Sequence, residues 1–278
     1  MSEDTLKKAL AGDINAFQEL FAAFQNQLKS YLYRLVADRN DAEDLTHDAF
    51  IKAYDKIGTF RGDSSLKTWV FTIATHLAMD FMKKRRRWPV NNQDTTEHFA
   101  KANQPMRQQL FAIHENSPTG AYEIREHIDY CFTCISKSLP IEQQVALILK
   151  DIYEFSVAEI SLIMDRSAGV IKHLLIDARK TLTTVYEHRC ALINKNGTCH
   201  QCSQLNGLYN PKQDQQEALM KEELYTASKK FNREELFELR TKLVKAIDPL
   251  RANGTDLHDM MLTVTKMAIG ELPAQGDR

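Results

Sequence analysis

Lys83-Lys84-Arg85-Arg86-Arg87 is an unbroken run of five cations that ends at Trp88-Pro89. The whole chain is near neutral, with 36 Lys+Arg against 37 Asp+Glu, so positive charge is concentrated here. Such a run suits a polyanion, because cations set against phosphates release condensed counterions. Standing alone it reads first as a solvated face. The cysteines are the second reactive group: Cys131, Cys134, Cys190, Cys199 and Cys202. Cys131/Cys134 and Cys199/Cys202 have CxxC spacing, which suits two thiolates on a zinc ion. A four-cysteine site could join both pairs. Alternatively Cys190, Cys199 and Cys202 could take His188, His200 or Cys134 as a fourth ligand. Neighbouring thiols also make redox switches, and Cys131 and Cys134 fit equally well as ordinary core residues. An odd number argues against a disulfide framework. There is no Gly-rich phosphate loop and no nucleophile–base spacing, so the chain reads as a binding protein and not an enzyme.

The elements that must carry these groups are helices. The chain has 278 residues, 43% hydrophobic and 26% charged, enough for about two domains of roughly 100–200 residues. No secretory pattern opens it, and no stretch approaches the ~18 apolar residues of a membrane span. The expected location is cytoplasmic. Glycine and proline are sparse, and apolar residues recur at helical spacing, so the expected fold is all-α. Phe17, Leu20, Phe21, Phe24, Leu28, Tyr31, Leu32 and Leu35 predict a helix over 16–36. Asn40 or Asp41 is placed to cap the next, over 41–57. It buries Leu45, Ala49, Ala53 and Ile57 and shows Glu43, Asp44, His47, Asp48 and Lys52 to solvent. After the turn-rich "GTFRGDSS", Ser64 or Ser65 caps a third helix with a core stripe of Leu66, Trp69, Val70, Ile73, Leu77 and Phe81. Trp69 is read as a core residue. Pro89 ends that helix.

Residues 89–120 are polar and weakly periodic, and read as a linker with one short helix. Ile128, Phe132, Ile135 and Leu139 form the next stripe, and Pro140 suits the start of a helix. Ser156 caps a short helix; a turn over 164–167 leads to a second, basic one carrying Val170, Ile171, Leu174, Leu175, Ala178 and Leu182. That is the helix-turn-helix pattern, though a plain helical hairpin has the same outline. A cysteine-bearing loop and further helices, over about 218–272, follow.

Two stretches then add what composition does not. "DAEDLTHDAFIKAY" with "FRGDSSLKTWVFTIATHLAMDFMKKRRR" resembles region 2 of bacterial sigma factors of the extracytoplasmic-function (ECF) type. "LPIEQQVALILKDIYEFSVAEISLIMDRSAGVIKHLLIDARKTL" resembles region 4 of the same family. The resemblance implies two small helical domains joined by a flexible linker: region 2 over 14–88, linker over 89–120, region 4 over 121–187. A cysteine-containing helical extension over 188–278 is added to that plan. The extension is a candidate regulator, alongside or in place of an anti-sigma factor.

The resemblance implies an alternative sigma factor that binds core RNA polymerase, recognises minus-35 and minus-ten promoter elements and helps melt DNA. Asp41, Asp44, His47, Asp48 and Lys52 would meet the polymerase; the family commonly has Gln at the His47 position. Arg61, Ser64 and Lys67 would line a pocket for an unstacked minus-ten base. His76, Asp80, Lys83, Lys84, Arg85, Arg86 and Arg87 would complete that interface; the family usually has Asn at the His76 position. Arg166, Ser167, Ala168, Lys172 and His173 would face the minus-35 element, with Arg179 and Lys180 on phosphates. No cofactor is needed for this role, and a structural zinc at the cysteines is an addition to it. Two other readings stay open. A helix-turn-helix regulator acting without polymerase leaves residues 41–87 unexplained. A metal- or redox-sensing DNA-binding protein would be governed by its cysteines.

Overall fold

The computed structural model describes residues 3–106, 108, 109, 112, 124–190, 232–250 and 256–273. The elements are helices, in line with the all-α expectation. The chain forms two compact units that are interleaved along the sequence: residues 1–86 with 140–177, and residues 87–139 with 178–278.

The first unit begins with α1 (Glu3–Leu10) and α2 (Ile14–Val36). The Asp13 carboxylate starts α2 by accepting from the N–H groups of Asn15 and Ala16, at 2.9 and 3.2 Å. Ala37 ends it in the left-handed conformation, φ 57°. That turn makes Asp38 the cap of α3 (Arg39–Asp55) in place of the expected Asn40 or Asp41. Its carboxylate accepts from the N–H groups of both those residues, at 3.0 and 3.2 Å. A short 3-10 turn, Ile57–Thr59, leads to the loop before α4 (Leu66–Lys83). Ser65 caps α4 as expected, its hydroxyl accepting from Thr68 N–H at 3.0 Å. All eight apolar residues expected on α2 are buried, as are Leu45, Ala49, Ala53 and Ile57.

The core face of α4 differs from the expectation. Leu66, Val70, Phe71, Ala74, Ala78, Met79 and Met82 are buried, while Trp69, Ile73, Leu77 and Phe81 are only half-buried. The helix is apolar on two sides. The side carrying small Ala74 and Ala78 faces inward, because alanines let helices approach closely and fill the core without voids.

The rest of this unit is α7 (Ile141–Leu147), one π turn over Ile148–Ile152, α8 (Val157–Met164) and the first half of α9 (Ala168–Arg189). Ser156 and Glu159 form a reciprocal capping box on α8, satisfying two N–H groups that a helix start leaves free. Asp165, φ 52°, makes the turn into α9. The segment packs on α2 and α4. Phe155 meets Phe71 with ring centroids 4.9 Å apart, and Tyr153 meets Tyr31 at 5.6 Å. The buried Gln144 side chain donates to the carbonyls of Arg34 and Leu35, each at 3.3 Å.

The second unit contains α5 (Asn92–Ala102), α6 (Ile124–Ser136), the second half of α9, α10 (Arg233–Ala246) and α11 (Asp256–Ala268). The expected stripe Ile128, Phe132, Ile135 and Leu139 is buried. So are His127, Asp129, Tyr130, Cys131, Thr133, Cys134, Ser136 and, just beyond the helix, Lys137, so that residues 127–136 of α6 are covered on every side. The expected linker supplies α5, and α5 and α6 both pack against α11. The Thr96 hydroxyl donates to Thr265 Oγ1 at 3.1 Å, and the Tyr130 and Thr265 hydroxyls share a 2.8 Å hydrogen bond.

Candidate nucleic-acid interface

Asp44, His47, Asp48 and Lys52 stand together on the exposed face of α3, as expected. Asp41 is half-buried and held by Arg85, whose guanidinium lies 3.0 Å from it. Ile51 sits among the charged residues and is 42% exposed. Sequence reasoning missed it. The signal was its place four residues after His47, on a face otherwise polar.

The loop before α4 turns at Gly62, φ 79°, a backbone conformation open to glycine at no steric cost. Arg61 is exposed and Ser64 half-buried. Lys67 is turned elsewhere. Its ammonium lies 5.0 Å from the Phe155 ring and 5.8 Å from Phe71, and burial lowers its pKa. Thr68 beside it donates to Glu159 at 3.4 Å. His76, Lys84 and Arg86 are exposed. Lys83 donates to Asp80 at 2.9 Å and thereby holds the Asp80 carboxyl below its ordinary range. The Arg85 guanidinium also stacks over Phe81, 4.3 Å from the ring centre. Arg87 departs from the other four cations, because it belongs to the second unit. It donates to the carbonyl of Leu139 at 2.8 Å and that of Ser136 at 3.3 Å, and burial lowers its pKa to about 10. Its charge is used on the carbonyls of Ser136, which ends α6 and also accepts from Leu139 N–H at 3.1 Å, and of Leu139 in the loop beyond, so the solvent-facing run is Lys83–Arg86.

The half-buried row Trp69, Ile73, Leu77 and Phe81 recurs every four residues along one side of α4 and leads into those cations. Phe60 extends it, with its ring 5.5 Å from Trp69. Trp69 was expected in the core; its partial exposure makes it part of a surface.

On α9 the Ser167 hydroxyl accepts from Val170 N–H at 3.4 Å. Ala168, Lys172, His173, Arg179 and Lys180 are exposed. Arg166 is engaged by Glu142, whose carboxylate accepts from its guanidinium at 2.7 and 3.1 Å.

Comparison with known proteins agrees with this layout. Sigma-70 region 2 matches residues 20–88, and Sigma-70 region 4 matches residues 131–182. The RNA polymerase sigma-H factor of Pseudomonas aeruginosa is 28% identical over 182 residues, 65% of this chain and 91% of that protein. The ECF RNA polymerase sigma-E factors of Haemophilus influenzae and Escherichia coli K12 are 29% and 28% identical over 196 and 180 residues. These alignments cover 66% and 64% of this chain and 96% and 90% of those proteins. This chain is an RNA polymerase sigma factor of the ECF type. A solved structure of the sigma factor RpoE with the anti-sigma factor NepR from Bartonella quintana shares 21% identity, covering 62% of this chain and 96% of its own, at a TM-score of 0.41.

The cysteines of this sigma factor do not assemble a metal site among the described residues, where no group of three His, Cys, Asp or Glu is placed to hold an ion. Cys131, Cys134 and Cys190 are buried thiols. Burial raises the pKa of Cys131 and Cys134 and holds both as neutral thiols. The Arg240 guanidinium stands 3.4 Å from Cys190 Sγ, where a metal cation would be repelled. Cys131 and Cys134 therefore sit as core residues of α6, the plainer of the two expectations. Cys199, Cys202 and His200 lie outside the described residues, and His188 is exposed on the last turn of α9. Among the described residues no helix is long and apolar enough to cross a membrane.

Proposed function

We propose that this sigma factor meets core RNA polymerase through Asp44, His47, Asp48, Ile51 and Lys52, and holds the melted minus-ten strand along α4. The row Phe60, Trp69, Ile73, Leu77 and Phe81, running into Lys83–Arg86, carries this reading. Unstacked bases need apolar or aromatic surfaces to rest on, with cations along the backbone, and stacking one base is worth about 1–3 kcal/mol. Arg61, Ser64, His76 and Asp80 lie on the loop and helix beside that row. The second helix of the helix-turn-helix, α9, reads the minus-35 element in the major groove. The reading treats residues 14–88 and 121–187 as the two promoter-reading regions, 89–120 as their connection, and 188–278 as an addition to them. A regulatory anti-sigma protein and a zinc ion held by Cys199 and Cys202 fit this reading without being required by it. Action in the cytoplasm, where the polymerase works, follows from the role.

Lys67 and Thr68 are occupied by Phe155 and Glu159, so the helix-turn-helix covers part of α4. Promoter binding through Lys67 requires that contact to open.

Run-off transcription by purified core polymerase on a genomic promoter library, with and without the protein, tests the function. Discrete new start sites are expected, with permanganate-reactive thymines upstream of each. Trp69→Ala should lower that reactivity about tenfold or more while leaving core binding intact. Absence of any polymerase-dependent initiation overturns the proposal. Unchanged melting in the variant removes α4's apolar row from it.

A further inference from the structure

The core side of α9 is formed by Ile171, Leu175 and Ala178, all buried. At 3.6 residues per turn, Gly169, His173 and Ile176 lie on the opposite side, with Val170 and Lys172 at its two edges. Ile176 is 61% exposed and Val170 41%. Two β-branched residues on the water-facing side of a helix are poor choices for the fold alone, since straight-chain polar residues favour the helix more and bury nothing.

We infer that Ile176 and Val170 read thymine C5-methyl groups in the minus-35 element. The inference rests on the reading of α9 as the promoter-reading helix and gives that helix its base preference. The thymine methyl is an apolar feature of the major-groove edge, and an apolar side chain distinguishes it where hydrogen-bonding groups do not. β-Branched side chains hold their methyls in a nearly fixed rotamer, so little conformational freedom is lost on contact. Lys172, at the edge opposite Val170, adds the charge that phosphates need.

Gly169 gives a second, independent indication. A Cβ built there meets only Ser167 Oγ, at 3.9 Å. The protein's own packing has room for alanine, and alanine would favour the helix. The missing side chain therefore serves an approach from outside the fold, on the same side as Ile176. Arg166, the cation nearest the start of α9, is already held by Glu142, which leaves more of the base reading to the apolar pair.

The experiment uses the full chain bound to core polymerase. Once run-off mapping has given the upstream element, each of its thymines is replaced in turn by deoxyuridine, which deletes the methyl and keeps the base pair. Promoter affinity is expected to fall about fourfold at each contacted position, the value of one buried methyl. Ile176→Ala or Val170→Ala should lower affinity for the thymine promoter by a similar factor and abolish the thymine–uracil difference at its own position. Both side chains are exposed, so these variants keep the core intact. Gly169→Ala should weaken promoter binding while raising the melting temperature. Equal affinity for thymine and uracil at every position overturns the methyl reading and leaves α9 as the reader. So does an upstream element without thymine, or a difference that survives both variants. Loss of all dependence on the upstream element overturns the reading of α9 itself.

Discussion

His127 is a base that the fold keeps uncharged. It is buried in α6, and burial, aided by the nearby Arg240 guanidinium, lowers its pKa from 6.5 to about 3. The unfolded chain therefore binds a proton between these values that the folded chain refuses. Stability is fully present above pH 6.5 and declines as pH falls toward 3. The slope of one proton is about 1.4 kcal/mol per pH unit, so between pH 7 and pH 5 this group removes about 2 kcal/mol. Urea unfolding at several pH values checks this. His127→Asn should flatten the slope over that window, and equal slopes in the two proteins would show that His127 is protonated in the fold. Arg87 is the second residue whose surroundings override its type. Its position in a cationic run suggested phosphate, yet its guanidinium is spent on the carbonyls of Leu139 and Ser136.

Among the elements, α8 shows how little holds the helix-turn-helix in place and how much that little matters. It has only eight residues, too few to persist without a cap and tertiary packing. Its capping box uses Ser156 Oγ as acceptor for Glu159 N–H at 3.2 Å, and Glu159 as acceptor for Ser156 N–H at 2.8 Å. The Ser156 N–H first, and then the Ser156 hydroxyl donating to the same carboxylate at 2.7 Å, hold the Glu159 carboxyl below its ordinary range. Glu159 also receives the Thr68 hydroxyl from α4. Ser156→Ala is expected to cost about 1 kcal/mol, read as a lower urea midpoint. Loss of amide-exchange protection should centre on 157–160, and unchanged protection there would mean the box adds nothing to α8.

At the scale of the whole molecule, the C-terminal extension is built into the chain's middle. Trp88, 2% exposed, donates from Nε1 to Glu271 at 2.6 Å, and Lys137 lies over its ring at 4.9 Å. The extension thus completes a core with Trp88, α5 and α6. Ending the chain at residue 255 removes α11 and Glu271. In a Trp69→Phe background, where Trp88 is the remaining tryptophan of two, its fluorescence should shift to the red and become open to iodide. An unchanged spectrum would mean that α11 does not cover Trp88.

The sequence by itself determined the helices from α2 through the helix-turn-helix, the cap at Ser156, a choice of Ser64 or Ser65 for α4, the α2 core stripe and both family-specific regions, but not α1. These are local matters: apolar period, cap chemistry and turn residues lie within a few positions of one another. It also located the exposed charges of α3, whereas on α9 it grouped Val170 with the apolar set that the structure leaves 41% exposed. Tertiary structure alone decided which of the two apolar sides of α4 faces inward. That choice rests on how α4 packs against α2 and α3, a long-range packing term with no trace in the spacing. It decided, too, that Lys67 meets Phe155, that Arg87 leaves the basic run, and that Cys131 and Cys134 lie in a core. In each case the partner is remote in the chain, and burial depends on that partner more than on the residue's own type.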